Sequence, residues 1–384
     1  MNRINTSYSR PAVATFAGGA IRRRTSAAAM VTAAALALLI GLAAQVRAQT
    51  ATSGFVYTAD ENENSVSRID LAAGKVDIFP VGVTPHNVQF VPGKDLVLAV
   101  GTPVTMAADI GHAGADDSDD AAASHGGGGH GGGGAGGALI VMETGNMASA
   151  PVATIEVGSH PAHVIADAAG ERAFVSNSGD DTLTVVDLAK GEVVGEIGTG
   201  DYPHGLRMSP DGSTIYVANV EDGTVSIIDA ASLEETDRIE VGKAPVQVGF
   251  TPDGSRVYVS LRDENKVAVI DTATRRVTAR IGVGRSPIQM YATPDGRFVY
   301  VANQGTGDDP DETVSVIDVA GGTVVKTITT GKGAHGVTVS DDGAQVFVSN
   351  IVDGTVSEIS VASQAVVRTY RVGKGPNGIT FQAQ

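Results

Sequence analysis

Residues 206–248 read LRMSPDGSTIYVANVEDGTVSIIDAASLEETDRIEVGKAPVQV. Four short runs rich in apolar and β-branched residues (LRMS, TIYVAN, TVSIID and TDRIEVG) are separated by PDG, VEDG and AASLEE, and GKAP leads into the next run. Such runs, punctuated by Gly, Pro, Asp and Asn, predict four consecutive antiparallel strands. A single sheet of this kind has two apolar faces and cannot bury both alone, so it needs copies of itself.

The copies are present. The second-strand motif recurs as AFVSN ending at Asn177, IYVAN at Asn219, VYVSL at Leu261, VYVAN at Asn303 and VFVSN at Asn350, with steps of 42, 42, 42 and 47 residues. Weaker copies end at Asp60 (VYTAD) and Val100 (LVLAV). Seven units of about four strands each predict an all-β fold, a seven-bladed β-propeller of four-stranded antiparallel blades. Residues 54–80 supply only three strands. The fourth is expected from GITFQA at 378–383, so the C-terminal strand would pair with the N-terminal blade and close the ring.

The words YVAN, SPDG, TVSIID and IEVG resemble YVTN-type β-propeller repeats over about residues 54–384. The resemblance implies the fold. It leaves the function open, because propellers of this kind serve as scaffolds, binding proteins and enzyme modules. The chain has no Trp, which removes the WD40 reading at its signature residue.

Residues 1–24 are basic and end in Arg22-Arg23-Arg24, residues 25–44 are mostly apolar, and Val46-Arg47-Ala48 offers small residues for cleavage. This pattern predicts a secretory signal peptide over 1–48 and a periplasmic or secreted protein without stable membrane insertion. An uncleaved anchor is the competing reading. Residues 49–384 are expected to form one propeller domain, interrupted in blade 2 by a disordered Gly/Asp/His-rich insertion at 101–137.

The formal charge of the chain is −16. The first 48 residues hold six Arg and no acid, so the remainder carries 21 basic and 43 acidic residues. That surface repels phosphate backbones and speaks against nucleic-acid partners. The chain has no Cys, from which we expect no haem c, no thiolate metal site and no disulfide. The GxGxxG matches at 331–336 and 373–378 are copies of an ordinary inter-blade link and open no helix, so nucleotide binding is not expected.

In an up-and-down blade the fourth-to-first and second-to-third links lie on the same face of the ring. Aligned on the residue after the link proline, the fourth-to-first links present His86, Ala162, His204, Val246, Ile288, His335 and Asn377, with His160 and His163 flanking Ala162. The remaining histidines, His112, His125 and His130, fall in the insertion, which is a second-to-third link. All eight imidazoles are therefore expected on one face, among acidic links. Imidazole and carboxylate without thiolate suit a divalent metal ion, Zn²⁺ ahead of Cu²⁺ or Ni²⁺. The expected site is a channel-mouth centre of His86, His204, His335 and His163 or His160, with the insertion as a low-affinity collector. Periplasmic propeller metallochaperones are similar in outline.

Three functions are compatible with this pattern. The one favoured is a non-catalytic extracytoplasmic metal-binding protein, chaperone- or buffer-like. A second is a scaffold binding an envelope protein through the acidic face. A third is a lactonase-type enzyme, as some seven-bladed propellers are, with a rim His as general base and a metal, Arg207 or Arg285 as electrophile. No P-loop, HExxH or GxSxG motif is present, and the reading leans away from catalysis.

Overall fold

A computed structural model describes residues 53–104 and 136–384. Those residues form seven four-stranded antiparallel sheets. Blade 4 holds the strands Pro203–Met208, Thr214–Asn219, Thr224–Asp229 and Glu234–Glu240 in sequential order, from the central channel outward. Blade 1 is assembled from both ends of the propeller: Pro376–Ala383 pairs with Gly54–Asp60 and provides the innermost strand. The ring is thus a seven-bladed propeller closed by its C-terminal strand, as the repeat pattern predicts. Among the described residues no helix is long and apolar enough to cross a membrane.

The core lies between blades. Tyr216, Ala218, Val225 and Ile227 of blade 4 pack on Val248, Val257, Val259 and Ala268 of blade 5. The junction that closes the ring is built in the same way, with Phe347 and Val356 against Val56, Ile379 and Phe381, and the Phe347 and Phe381 rings stacked at 5.9 Å. Small β-branched residues suit these interfaces because both faces of each thin sheet are buried.

The turns follow their side chains. In the first-to-second turn of blade 4, Asp211 Oδ1 accepts from Ser213 N at 3.0 Å, and Gly212 takes a φ of 74°. The Asp ending the third strand caps its turn: Asp229 Oδ1 accepts from Ala231 N and Ser232 N at 3.0 and 2.7 Å. The Asn ending the second strand is a buckle within the blade. Asn303 Nδ2 donates to Thr313 Oγ1 and Ser315 Oγ, each at 3.0 Å, and Ser315 Oγ also accepts from Gly284 N at 3.2 Å. Asn219 and Asn350 repeat the same pair of bonds. An Asn303→Ala variant is expected to lose about 1–2 kcal/mol, read as a lower urea midpoint at unchanged m-value.

One device repeats at the channel. In blade 4 Pro203 pairs with Asn219 and Leu206 with Val217, so His204 and Gly205 share the single residue Ala218 opposite them. The same register shift occurs in blades 3, 5, 6 and 7 and between Pro376 and Ile379 in blade 1. Such a bulge bends the strand and re-aims the two residues at its apex.

Candidate functional site

The bulge explains which imidazoles meet. Strict alternation along a strand sends neighbouring side chains to opposite faces. His204 is the first apex residue of blade 4, and His163 is the second of blade 3. The two rings nevertheless lie 4.8 Å apart, centroid to centroid, and His86 of blade 2 lies 5.3 Å from His204 and 5.9 Å from His163. One ring nitrogen from each of the three can be chosen so that all lie within 4.8 Å of one another. Ser176 ties two of the strands together, accepting from His163 N at 3.0 Å and donating to His204 O at 2.6 Å.

His86 Nε2 and His204 Nε2 are 3.2 Å apart. Two imidazole nitrogens bound to one tetrahedral Zn²⁺ at about 2.0–2.1 Å stand roughly 3.3 Å apart. His204 Nδ1 lies 3.2 Å from the Val246 carbonyl; donating there leaves the lone pair on Nε2. Gly205 makes room for this bond, since a Cβ there would meet Val246 O at 2.5 Å.

His86 has a choice at Nδ1. Glu61 Oε1 lies 3.4 Å away and Asn377 Nδ2 3.2 Å away, while Asn377 Nδ2 also donates to Glu61 Oε2 at 3.0 Å. With its proton on Nε2, His86 accepts from Asn377 and donates to His204. With its proton on Nδ1, it donates to the Glu61 carboxylate and turns a lone pair toward His204 Nε2. Two lone pairs at that distance require a cation between them. Carboxylate–histidine–metal relays are built in this second way.

His163 is fully buried, and among the described residues neither of its ring nitrogens has a hydrogen-bond partner. Buried polar groups of this kind are rare, because each costs its desolvation without return. Burial, reinforced by the neighbouring imidazoles, holds His163 and His204 well below the usual histidine pKa, and burial lowers His335 to about 4. These rings are neutral at pH 7, the form that binds metal ions. Burial would raise the Glu61 carboxyl, but hydrogen bonding to His86 and Asn377 outweighs it and holds Glu61 below its ordinary value.

His335 is buried beside the trio. With His86, His204, Arg262 and Gln304 it lines a cavity of about 40 Å³ at the mouth, and the Asn377 backbone beside it partly offsets the burial that lowers it. It is not one of the three histidines whose nitrogens converge. His160 is exposed, with a φ of 47°, and lies against Gly179 outside that group. His112, His125 and His130 fall outside the described residues. The strands that bracket them end on the face of His86, since Thr84 pairs with Thr102 and Val83 with Pro103. Glu61 is the participant that the sequence did not single out; its acidic link resembles every other one, and no spacing marks it.

The two arginines considered as electrophiles are elsewhere. Arg285 pairs with Asp309 and, at 3.6 Å, with Asp311. Arg207 lines a separate cavity toward the opposite opening.

Comparison with known proteins supports the fold and corrects one expectation. A family model described as YNCE-like beta-propeller matches residues 235–383, in accord with the YVTN-type repeats. A second, described as Cytochrome D1 heme domain, matches residues 136–292. Among solved structures, Kuenenia stuttgartiensis hydrazine synthase is 18% identical, with a TM-score of 0.61 over 78% of this chain and 95% of that one. A functionally unknown protein from Desulfotomaculum acetoxidans DSM 771 is 17% identical, with a TM-score of 0.68 over 86% of this chain and 99% of that one. At these identities the likeness is one of fold. No curated protein sequence matches the chain. The haem-domain match overturns the expectation of no haem c that was drawn from the missing Cys. The physical reason is that haem iron is held by axial ligands such as His, which a missing Cys does not remove.

Proposed function

We propose that this seven-bladed propeller is an extracytoplasmic binding protein that holds a transition-metal ion between His86, His163 and His204 at the channel mouth. The observation that carries the reading is the pair of fully buried nitrogens on His163, without a hydrogen-bond partner among the described residues, beside two Nε2 atoms already at ligand spacing. Three neutral imidazoles with an open fourth position suit Zn²⁺ in an exchangeable site. Binding would move the His86 proton from Nε2 to Nδ1, where Glu61 accepts it. The leader-like pattern of residues 1–48 supports the extracytoplasmic part.

A second reading has one specific support, the haem-domain match over 136–292. There the same imidazoles would offer an axial ligand to haem iron. The cavity of about 40 Å³ suits an ion or a water, so a macrocycle would sit outside it.

Elemental analysis and a visible spectrum of the protein as purified from the periplasm separate the two. The first reading expects Zn²⁺ binding by calorimetry that weakens at least 100-fold in a His86→Ala/His204→Ala variant. A Soret band lost in the same variant would favour the second. Zn²⁺ affinity equal in both proteins, with no such band, would dismiss both.

A further inference from the structure

At the opposite end of the channel lies a cavity of about 290 Å³ with a different chemistry. Its walls come from the innermost strands and first-to-second turns of blades 4, 5 and 6. Blade 4 contributes Arg207 and blade 6 contributes Tyr291, whose ring lies 5.7 Å from the guanidinium carbon. Blade 5 has Gly249 at the equivalent position between them, which opens the space. Phe250, Met290 and Pro252 complete an apolar lining.

Arg207 is the anomaly. Among the described residues its guanidinium makes one hydrogen bond, Nη1 to the neighbouring Leu206 carbonyl at 3.1 Å, and the contact with Tyr291. Among the described residues no carboxylate pairs with it, in a chain that is strongly acidic overall. Most other arginines of the ring find carboxylate or carbonyl partners from a different strand or turn, such as Arg238 with Asp222 and Arg172 with the Ala230 carbonyl. A partly desolvated guanidinium with most of its five donors unused is costly unless an anion completes it. The aromatic face supplies only part of that stabilisation.

We infer that this cavity is a binding site for a small organic carboxylate with an apolar body. The guanidinium takes the carboxylate through two parallel N–H donors, and Phe250, Met290 and Tyr291 contact the body. The volume is at the lower end for small-molecule sites, which limits the ligand to a short aliphatic or single-ring acid. The site shares no lining residue with the mouth cavity, which lies at the other opening, although the Arg207 charge contributes, after burial and the neighbouring imidazoles, to holding His163 below the usual histidine value.

The test titrates phenylacetate and hexanoate into the full-length protein by calorimetry, with 2-phenylethanol as a neutral analogue and inorganic phosphate as an anion without an apolar body. At least one carboxylate is expected to bind, at least tenfold tighter than either control. Arg207→Gln is expected to weaken it at least tenfold. Tyr291→Ser, at a ring 39% exposed and therefore safe for folding, is expected to weaken it as well. Binding of neither acid, undiminished binding by Arg207→Gln, or equal binding of 2-phenylethanol or phosphate would each overturn the assignment.

Discussion

Replacing His163 with Leu is expected to stabilise the metal-free protein while lowering Zn²⁺ affinity at least 100-fold. His163 is fully buried, and both ring nitrogens lack partners among the described residues. One carries a proton that no described acceptor takes, and the other a lone pair that no described donor approaches. Removing such groups from a protein interior returns about 1–3 kcal/mol, and Leu fills a similar volume without polar atoms. The same change deletes one of three ligands, where even indirect supports of a ligand are worth about 10–100-fold in affinity. Opposite signs for stability and affinity mark a residue retained for a ligand at a cost to the fold. The measurements are the thermal midpoint in chelator and a Zn²⁺ titration of each protein. A lower midpoint with unchanged Zn²⁺ binding would make His163 a packing residue and leave the mouth without a third ligand. Zn²⁺ should also raise the midpoint of the unmodified protein in proportion to the logarithm of its free concentration, and that increment should vanish in His163→Leu.

Asp60→Asn is expected to stabilise the ring at neutral pH by about 2–3 kcal/mol and to leave it unchanged near pH 4. Asp60 occupies the position where Asn219, Asn303 and Asn350 form their buckles. It accepts from Ser65 Oγ and Ser67 Oγ, at the same spacing along the chain as the hydroxyls that Asn219 serves, and from Thr58 Oγ1. Burial raises its carboxyl to about 6, against the hydrogen bonds from Ser67, Thr58 and Ser65 that lower it. The folded state therefore holds this proton more tightly than the unfolded chain, whose value is near 3.8. Stability from the protonated form is complete below about pH 4 and is lost as pH rises through 6. Asn is neutral throughout, and its amide can donate to Ser65 and Ser67 as the other buckles do. Chemical denaturation at pH 4 and pH 7 checks this: the gain should appear at pH 7 alone. An equal change at both values would mean that packing, and not ionisation, distinguishes the two side chains.

The architecture was legible because repetition makes each weak local signal count several times. One blade's alternation of apolar runs and turn residues is ambiguous; at a spacing of 42 residues it becomes a ring, and the three-strand deficit at residues 54–80 points to the closing strand. The turn aspartates and the common face of the links were legible for the same reason, since strand direction alone sorts them. His86, His204 and His335 were recognisable as one aligned slot.

The composition of the site was decided by tertiary structure. Sequence alignment put Ala162, not His163, in the slot, and only the bulge that sets two residues opposite one brings His163 to His86 and His204. The same geometry leaves His335 beside the trio and exposes His160 on a left-handed turn. Glu61 and the Val246 carbonyl, which orient two of the rings, lie one blade away from the rings they orient. Arg207 is marked in the sequence only as one of two candidate electrophiles, and its cavity exists because Gly249 and Tyr291 of the next two blades border it. A periodic sequence determines which residues share a face, because that depends on hydrogen-bonded direction along one chain. Which of them touch depends on register shifts and on contacts between blades, and those are set only when the ring closes.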